Sequence, residues 1–333
     1  MNILLTGAVG FIGFHCVKSL FNDNFIVGVD NINDYYDVNL KLARLNELGV
    51  HKSSCLFSGN LVTGYNGFKF VKLDIAEDRH RLDDLFSKYK FDCVINLAAQ
   101  AGVRYSIENP ACYVKSNVDG FFNILECCRK YNVKKVVYAS SSSVYGNSDN
   151  VPFSESANVN SPESLYAATK VCNELFANVY HKIYDMSLIG LRFFTVYGPW
   201  GRPDMAPFLF TDSIINDKEI KVFGNGELYR DFTYIDDIVN GIVKVVNLDF
   251  TNKCDVLNIG HGSPVKLLDF IEILENEIGK KANKKFLGIQ QGDVYITYAD
   301  TNKLESVIGY KPTVDLKEGI HKFVKWYKDY YRV

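Results

Sequence analysis

Tyr166 and Lys170 stand four residues apart in a stretch with a helical pattern. On a helix this spacing places both side chains on one face. A nearby ammonium group favours phenolate over phenol, so Lys170 is expected to lower the pKa of Tyr166 from its reference value of about 10. Tyr166 is therefore a candidate general base near neutral pH.

A run of four serines opens the segment SSSSVYG at 140–146 and follows a predicted strand at 134–140. It should lie at the carboxyl edge of a sheet, where ligands bind in open α/β folds. A serine hydroxyl there can hydrogen-bond a substrate oxygen while that oxygen's proton moves to Tyr166. A Tyr-x-x-x-Lys pair and a polar serine loop each occur by chance, but their order behind a glycine motif favours catalysis.

That motif is Gly7, Gly10 and Gly13, between a predicted strand at 2–6 and a predicted helix at 11–22. Glycines at this spacing allow a tight turn and a close approach of the backbone to a pyrophosphate. The N–H groups at the start of the helix attract phosphate. In this context the motif predicts a dinucleotide site rather than an ordinary turn.

Asp30 ends the next predicted strand, at 25–30. A carboxylate there can accept hydrogen bonds from both ribose hydroxyls of NAD and would repel the extra phosphate of NADP. We therefore predict NAD; an aspartate that only caps a loop is the alternative. Asp74 and Ile75 follow a predicted strand at 68–73, where adenine would lie, but that pair alone does not decide.

Short apolar runs alternate with amphipathic stretches through the first part of the chain. Doubly buried strands that alternate with helices predict an α/β fold, a doubly wound parallel sheet of the Rossmann type. Besides the strands already named, we predict strands at 92–97 and 187–193 and helices at 77–89, 110–131 and 164–184.

The regular alternation weakens after about residue 198, where a Gly- and Pro-rich loop begins. We predict a Rossmann domain over 1–198, to which 232–260 returns. A smaller mixed α/β C-terminal substrate domain is predicted from 199–231 and 261–333. Within the second half the sequence predicts strands at 220–223 and 256–260, a turn-rich segment at 224–231, and helices at 235–247, 266–278 and 316–331.

The composition is that of a soluble globular enzyme: 333 residues, 47% hydrophobic and 23% charged. A net charge of -2 gives no support for nucleic-acid binding. The sequence shows no signal peptide and no apolar run long enough for a membrane span. Its 8 cysteines lack the spacing of a zinc site, so we predict no metal, and free thiols favour a cytoplasmic location.

With these residues in place, the sequence resembles the extended short-chain dehydrogenase/reductase superfamily. Within it, the resemblance is greatest to nucleotide-sugar epimerases of the UDP-glucuronate 4-epimerase type, and it covers nearly the whole chain. The segments that carry it are DNINDYYDVNLKLARL (30–45), AAQAGVRYSIENP (98–110), SSSSVYG (140–146), YAATK (166–170), RFFTVYGPWGRPDMA (192–206), RDFTYIDDIV (230–239) and QGDV (291–294).

The resemblance implies the roles of further residues. Ser141 is the catalytic hydroxyl beside Tyr166 and Lys170. For the nucleotide of a UDP-sugar it implies Phe223, Arg230 and Asp293. Galactose-type epimerases usually have Arg where this chain has Gln290, so the resemblance gives less reason to expect a phosphate contact at this position. The expected NAD site comprises Gly7, Gly10, Phe11, Ile12, Gly13, Asp30, Asn31, Asn33, Asp74, Ile75, Leu97, Ala99, Gln100, Asn117, Ser140, Tyr166 and Lys170.

Dehydratases and decarboxylases of this superfamily carry acids just before the Val-Tyr-Gly, where this chain has Ser142 and Ser143. The absence of a carboxylate there favours simple oxidation and re-reduction. Tyr166, with Ser141, removes the proton of the 4-hydroxyl, and hydride passes from C4 to tightly bound NAD. The 4-keto sugar then turns over, and hydride returns to its opposite face.

A 4-keto uronic acid is a β-keto acid that can lose carbon dioxide. We expect Arg202 and Thr195, with Ser142 and Ser143, to hold the sugar carboxylate out of the geometry for that loss, since a guanidinium fork suits a carboxylate. A role of Arg202 at the loop surface is the alternative, and Arg104 is a second candidate cation.

The first prediction is thus a 4-epimerase that converts UDP-glucuronate to UDP-galacturonate. The sequence does not give the pathway; only the resemblance suggests a role in capsule, lipopolysaccharide or wall sugars. The alternatives are a 4-epimerase of UDP-glucose or UDP-N-acetylglucosamine, a net NAD-dependent oxidoreductase, and an NAD-sensing protein without catalysis. The resemblance also implies a homodimer formed through the helices at 110–131 and 164–184, whose apolar faces could equally belong to the core.

Overall fold

A computed structural model describes residues 1–51, 59–289 and 294–333. The chain forms two compact units. The first comprises 1–144, 158–192 and 242–257, and the second comprises 145–157, 193–241 and 258–333. The domain limits proposed from the sequence remain a prediction. They differ from these units at 145–157, 193–198, 232–241 and 258–260, which belong to the second unit.

The elements are numbered here in chain order. The strands are β1 Asn2–Thr6, β2 Phe25–Asp30, β3 Leu61–Thr63, β4 Lys69–Lys72, β5 Cys93–Asn96, β6 Lys135–Ser141, β7 Ser187–Phe193, β8 Thr195–Tyr197, β9 Glu219–Val222, β10 Tyr229–Tyr234, β11 Cys254–Ile259, β12 Pro264–Lys266, β13 Asn283–Phe286 and β14 Ile296–Thr297. The α-helices are α1 Phe11–Leu20, α2 Val38–Glu47, α3 Arg79–Tyr89, α4 Tyr105–Glu108, α5 Pro110–Tyr113, α6 Gly120–Lys130, α7 Leu165–Tyr184, α8 Ala206–Ile215, α9 Ile235–Asn247, α10 Leu267–Ile278, α11 Asn302–Ile308 and α12 Leu316–Tyr331.

The main sheet has eight strands in the order β11-β7-β6-β5-β1-β2-β4-β3. Strand β1 pairs in parallel with both β2 and β5, and the edge strand β3 is antiparallel to β4. The apolar runs of β1 and β5 are almost wholly buried. This architecture confirms the predicted Rossmann-type α/β fold, and it gathers the carboxyl ends of the parallel strands at one edge.

The predicted helix at 110–131 is not one regular helix. It consists of α5, a π-helical segment at Val114–Asp119, and α6. A π segment inside a helix is rare, so an apolar helical pattern is interpreted as one α-helix. The π segment contains Asn117, whose side chain bonds the backbone of Gln100 after the end of β5.

The second unit has its own small sheet, in which β10 pairs with β8, β12 and β14. The turn predicted at 224–231 is therefore partly wrong, since strand β10 begins at Tyr229. The sequence pattern did not predict this strand because it contains Asp231, and charged residues are rare at buried strand positions. Its buried carboxylate accepts hydrogen bonds from the backbone N–H groups of His261, Gly262 and Ala299, at 2.8, 2.9 and 3.0 Å.

Candidate active site

The turn between β1 and α1 has the geometry of a phosphate-binding loop. Gly7 has a φ of 71°, and a Cβ on it would lie 2.8 Å from the backbone nitrogen of Ala98. A Cβ on Gly13 would lie 2.0 Å from the carbonyl oxygen of Gly7. Gly10 caps α1 without a side-chain acceptor, so no side chain covers the N–H groups of its first turn. The turn therefore fits a pyrophosphate.

Asp30 lies beside this turn at the end of β2. One carboxylate oxygen accepts a hydrogen bond from the N–H of Ile32 at 2.8 Å, and the other lies 3.3 Å from the backbone nitrogen of Val9. These two bonds fix the carboxylate next to the glycine turn, where the adenosine ribose of NAD lies in this fold. The placement fits the predicted ribose contact.

Asn31 and Asp74, both predicted on the adenine side, are joined by a hydrogen bond of 2.9 Å from the Asn31 amide. Asn33 is held by the Lys41 ammonium, which donates to its carbonyl and side-chain oxygens, both at 2.6 Å. Ile75 is buried and faces the core. Lys41 was missed because a lysine on an amphipathic helix is usually exposed, whereas this one is 4% exposed.

Gln100 and Asn117 are brought together at the end of β5. The side-chain oxygen of Asn117 accepts from the Gln100 N–H at 2.7 Å, and its amide donates to the Gln100 carbonyl and the Thr169 hydroxyl, at 3.0 and 2.9 Å. Asn117 lies in the π segment, a geometry frequent at functional sites. The other predicted residues here lie at the start of α1 or just after β5; they are Phe11, Ile12, Leu97 and Ala99.

Helix α7 presents Tyr166 and Lys170 on one face, with the Lys170 Nζ 6.0 Å from the centroid of the Tyr166 ring. This ammonium donates to the Ala139 carbonyl at 3.0 Å. Lys170 is 2% exposed. Burial lowers its pKa to about 8, against the opposite effect of Glu174. Lys170 is therefore mainly protonated at neutral pH and can stabilise a phenolate on Tyr166.

The serine segment follows directly from β6. Ser141 is 8% exposed, and its hydroxyl lies 3.1 Å from the Ser143 hydroxyl and accepts from the Ser143 N–H at 3.2 Å. Residues Ser142–Tyr145 form a short 3-10 turn that stops the strand here. The hydroxyls of Ser141, Ser142 and Ser143 thus lie at the end of β6. They can form hydrogen bonds but supply no acid.

The Ser140 side chain is bonded within the protein. Its hydroxyl donates to Glu174 at 2.6 Å, and Arg192 binds the same carboxylate with bonds of 2.9 and 2.7 Å. The cofactor contact expected of Ser140 remains a prediction. Glu174 and Arg192 were missed, although Glu174 stands four residues after Lys170 and so shares its helix face.

In the second unit, Thr195 opens β8 and pairs with Phe232 of β10. Arg202 forms a two-point ion pair with Asp204, with one bond of 3.0 Å from its Nε. Phe223 begins a short turn, and Arg230 lies in β10 and donates to the Tyr229 carbonyl at 2.8 Å. Asp293 and Gln290 lie outside the described residues. Arg104 is exposed at the start of α4.

Among the residues that the structure describes, no cluster of His, Cys, Asp and Glu has the make-up of a metal site. The described cysteines are all free thiols; Cys55 lies outside the described part of the chain. No helix in the described ranges is long and apolar enough to cross a membrane.

Residues 3–260 match the model of the NAD dependent epimerase/dehydratase family. The chain is 44% identical over 350 residues to UDP-glucuronate 4-epimerase 4 of Arabidopsis thaliana, covering 99% of this chain and 76% of that protein. The crystal structure of UDP-glucuronic acid 4-epimerase from Bacillus cereus in complex with UDP-glucuronic acid and NAD is similar, with a TM-score of 0.89, 34% identity, and 99% and 100% coverage of the two chains. UDP-glucose 4-epimerase from Thermotoga maritima, with UDP-glucose, has a TM-score of 0.87, 28% identity, and 99% and 100% coverage.

Proposed function

Because the chain belongs to the NAD dependent epimerase/dehydratase family, we propose that it is the 4-epimerase that interconverts UDP-glucuronate and UDP-galacturonate. The observation that carries this is the pairing of Tyr166 with the buried Lys170 ammonium in a chain similar along its whole length to UDP-glucuronate 4-epimerases. The enzyme is NAD-dependent, and the glycine turn, Asp30 and Asn117 are the residues that hold the cofactor.

Bound NAD supplies a reversible acceptor for the hydride of sugar C4. Tyr166 accepts the proton of the 4-hydroxyl while Lys170 stabilises the phenolate. Ser141 hydrogen-bonds the same oxygen, and Tyr166 returns the proton after the 4-keto sugar has presented its other face. Ser142 and Ser143 offer no carboxylate for elimination, so the sugar leaves with only C4 inverted.

The UDP part of the substrate is assigned to the second unit. Phe223 offers an aromatic face for the uracil ring, Arg230 a cation for the diphosphate, and Asp293 an acceptor for the ribose. Binding through this remote, unreactive part leaves the sugar free to turn between the two hydride transfers. We accordingly assign NAD to the first unit and the nucleotide to the second.

The sugar carboxylate is assigned to Arg202, with hydroxyls from Thr195, Ser142 and Ser143. In this structure Arg202 makes its two-point pair with Asp204, so binding of the sugar carboxylate requires Arg202 to share or exchange this partner. Charge-assisted, two-point hydrogen bonds of this kind are specific in direction as well as strong. They hold the carboxylate away from the geometry in which a 4-keto acid loses carbon dioxide.

Arg202→Ala is expected to raise loss of carbon dioxide relative to epimerisation by about tenfold or more, because a charge-assisted grip on the carboxylate is removed. Product analysis by NMR measures the ratio of UDP-pentose to UDP-hexuronate. Arg129→Ala, which removes a surface arginine paired with Glu126, is the matched control. If the ratio is unchanged in Arg202→Ala, Arg202 does not protect the sugar carboxylate and is only a surface residue of the loop.

The alkaline limit of activity should report on Lys170. Since its pKa is about 8, its positive charge is lost as pH rises through that value, and kcat should fall there. Glu174 raises this pKa, so Glu174→Gln should move the descending limb to lower pH. Glu126→Gln, which alters another arginine-paired carboxylate, should leave the limb in place. If the descending limb of the Glu174→Gln profile stays at the wild-type pH, titration of Lys170 does not cause the loss of activity at alkaline pH.

We propose further that the enzyme is a homodimer. Helix α7 leaves Leu175, Val179 and Ile183 exposed by 59%, 48% and 63% at helical spacing, and Phe122 on the adjacent α6 is 38% exposed. Such a stripe on two neighbouring helices fits a second copy of the same stripe.

Val179→Lys is expected to yield a monomer in size-exclusion chromatography with light scattering, since it places a charge in the centre of the stripe. Tyr65→Lys, which alters a side chain 57% exposed outside α6 and α7, should remain a dimer. If the wild-type protein is a monomer, the homodimer proposal is wrong. If Val179→Lys is still a dimer, the interface does not include this stripe.

We also propose a cytoplasmic location, which the free thiols of the described cysteines support. Cell fractionation tests it: recovery of the protein with the periplasmic or membrane fraction would contradict it.

The experiment for the function is separate incubation of the purified protein with UDP-glucuronate, UDP-glucose and UDP-N-acetylglucosamine, with products followed by NMR. We expect conversion of UDP-glucuronate to UDP-galacturonate and little turnover of the others. Turnover of neutral sugars alone would favour a UDP-glucose 4-epimerase, the activity named for the Thermotoga maritima structure. Steady formation of NADH would instead indicate a net oxidoreductase.

A further inference from the structure

The two loops beside the glycine turn can meet above it because of the strand order. Strand β1 lies between β5 and β2 and is parallel to both, so all three carboxyl ends open at the same edge. The chain leaves β2 through the loop at 31–37 and leaves β5 through the segment at 97–109. A dinucleotide in this fold crosses the edge at the β1 turn, between these loops.

These two segments touch through a pair of aromatic rings. The centroids of Tyr35 and Tyr105 are 4.8 Å apart, with the ring planes at 45°. Both side chains are only partly buried. The contact joins residues that are far apart in sequence, and it is not explained by the packing of the core.

The Tyr35 loop is tied to the glycine turn. The neighbouring Tyr36 hydroxyl accepts a bond of 2.7 Å from Arg44, and the same Arg44 nitrogen donates to the Val9 carbonyl at 2.8 Å. Arg44 is wholly buried, and Lys41 holds Asn33 two residues before Tyr35. These hydrogen bonds therefore hold the loop that carries Tyr35 in place.

Tyr105 also has a fixed base. Its ring lies 6.2 Å from that of the fully buried Tyr113, whose hydroxyl bonds the carbonyls of Ala101 and Gly102, the former at 3.0 Å and the latter at 2.6 Å. Gly102 has a φ of 105°, which permits the bend that sends the segment back over the edge.

From this juxtaposition we propose that Tyr35 and Tyr105 form a clasp that closes the chain over the bound dinucleotide and slows its release. The two loops that carry Asn31 and Asn33 on one side and Ala99 and Gln100 on the other would have to separate before NAD departs. An enzyme with no net redox change gains from keeping its cofactor, because each turnover restores it. The inference concerns NAD alone and does not depend on which sugar is the substrate.

The test measures NAD release from the intact, NAD-loaded protein, with free NAD trapped by an auxiliary dehydrogenase in excess. Tyr35→Ala and Tyr105→Ala should each release NAD about tenfold faster than the wild type, as expected for the loss of one well-packed aromatic contact. The double variant should release it no faster than either single variant, because the same contact is broken in all three.

Two controls separate the clasp from general loosening. Tyr105→Phe keeps the ring and should release NAD at the wild-type rate, and Tyr65→Ala removes an exposed tyrosine from another loop and should do the same. Circular dichroism checks that every variant is folded. An unchanged release rate in Tyr105→Ala and Tyr35→Ala, or additive effects in the double variant, would overturn the proposal.

Discussion

Tyr166→Phe is expected to lower kcat for UDP-glucuronate epimerisation by about 10²- to 10⁴-fold, the usual contribution of a general acid–base group. The ring stays and only the hydroxyl that carries the proton is lost. Lys170 keeps its bond to the Ala139 carbonyl, so its ammonium should stay in place. The measurement is the initial rate of UDP-galacturonate formation by NMR, at saturating substrate.

The same variant should keep its NAD and its thermal stability, because the ring of Tyr166 and the Lys170 ammonium both remain. KM should change little, since the UDP part supplies the binding. Tyr113→Phe is a useful comparison: its ring stands edge-on to Tyr166 at 6.0 Å, but its hydroxyl is committed to backbone carbonyls. A Tyr166→Phe protein within tenfold of the wild-type rate would show that another group moves the proton.

Gly13→Ala should have the largest effect on the fold and on cofactor binding. The new Cβ would lie 2.0 Å from the Gly7 carbonyl oxygen, a backbone atom that cannot rotate away as a flexible side chain can. Relief requires α1 to move from the turn that holds the pyrophosphate. We expect a loss of more than about 3 kcal/mol in the free energy of unfolding, above the usual range for overpacking, and protein purified without NAD.

Two further glycines calibrate this result. In Gly10→Ala the Cβ would lie 3.1 Å from the same carbonyl oxygen, so a smaller loss is expected. In Gly288→Ala the Cβ would meet nothing within 4 Å, and stability should match the wild type. Chemical denaturation and the NAD content of the purified protein measure all three. If Gly13→Ala has wild-type stability and still contains NAD, the turn accommodates the added Cβ without a loss in the free energy of unfolding.

The recognition of a UDP-glucuronate 4-epimerase-like sequence is confirmed at the level of family and similar structures. It could be made from sequence because the signals are local. The glycine spacing, the Tyr-x-x-x-Lys pair and the serine run each occupy a few consecutive residues on elements whose apolar patterns are clear. The residue-by-residue roles beyond these motifs remain predictions that the variants above test.

Other parts of the site could not be anticipated because they depend on which elements pair. Lys41 and Arg44 belong to α2, a helix that is polar on average, yet the fold buries both side chains. Strand β10 is held by its three neighbouring strands, and the backbone N–H groups of His261, Gly262 and Ala299, outside those strands, accommodate the Asp231 carboxylate. The predicted single helix at 110–131 contains a π segment, a rare geometry that an apolar helical pattern does not predict.

The sequence by itself determined the Rossmann architecture and the glycine turn, and it predicted the proton-transfer pair, because each rests on spacing along one strand, turn or helix. Only the tertiary structure decided what surrounds them: the clamp of Glu174 by Arg192, the use of the Ser140 hydroxyl within it, and the contact of Tyr35 with Tyr105. These contacts join residues distant in sequence. Their geometry follows from the order of the strands in the sheet, which no local pattern encodes.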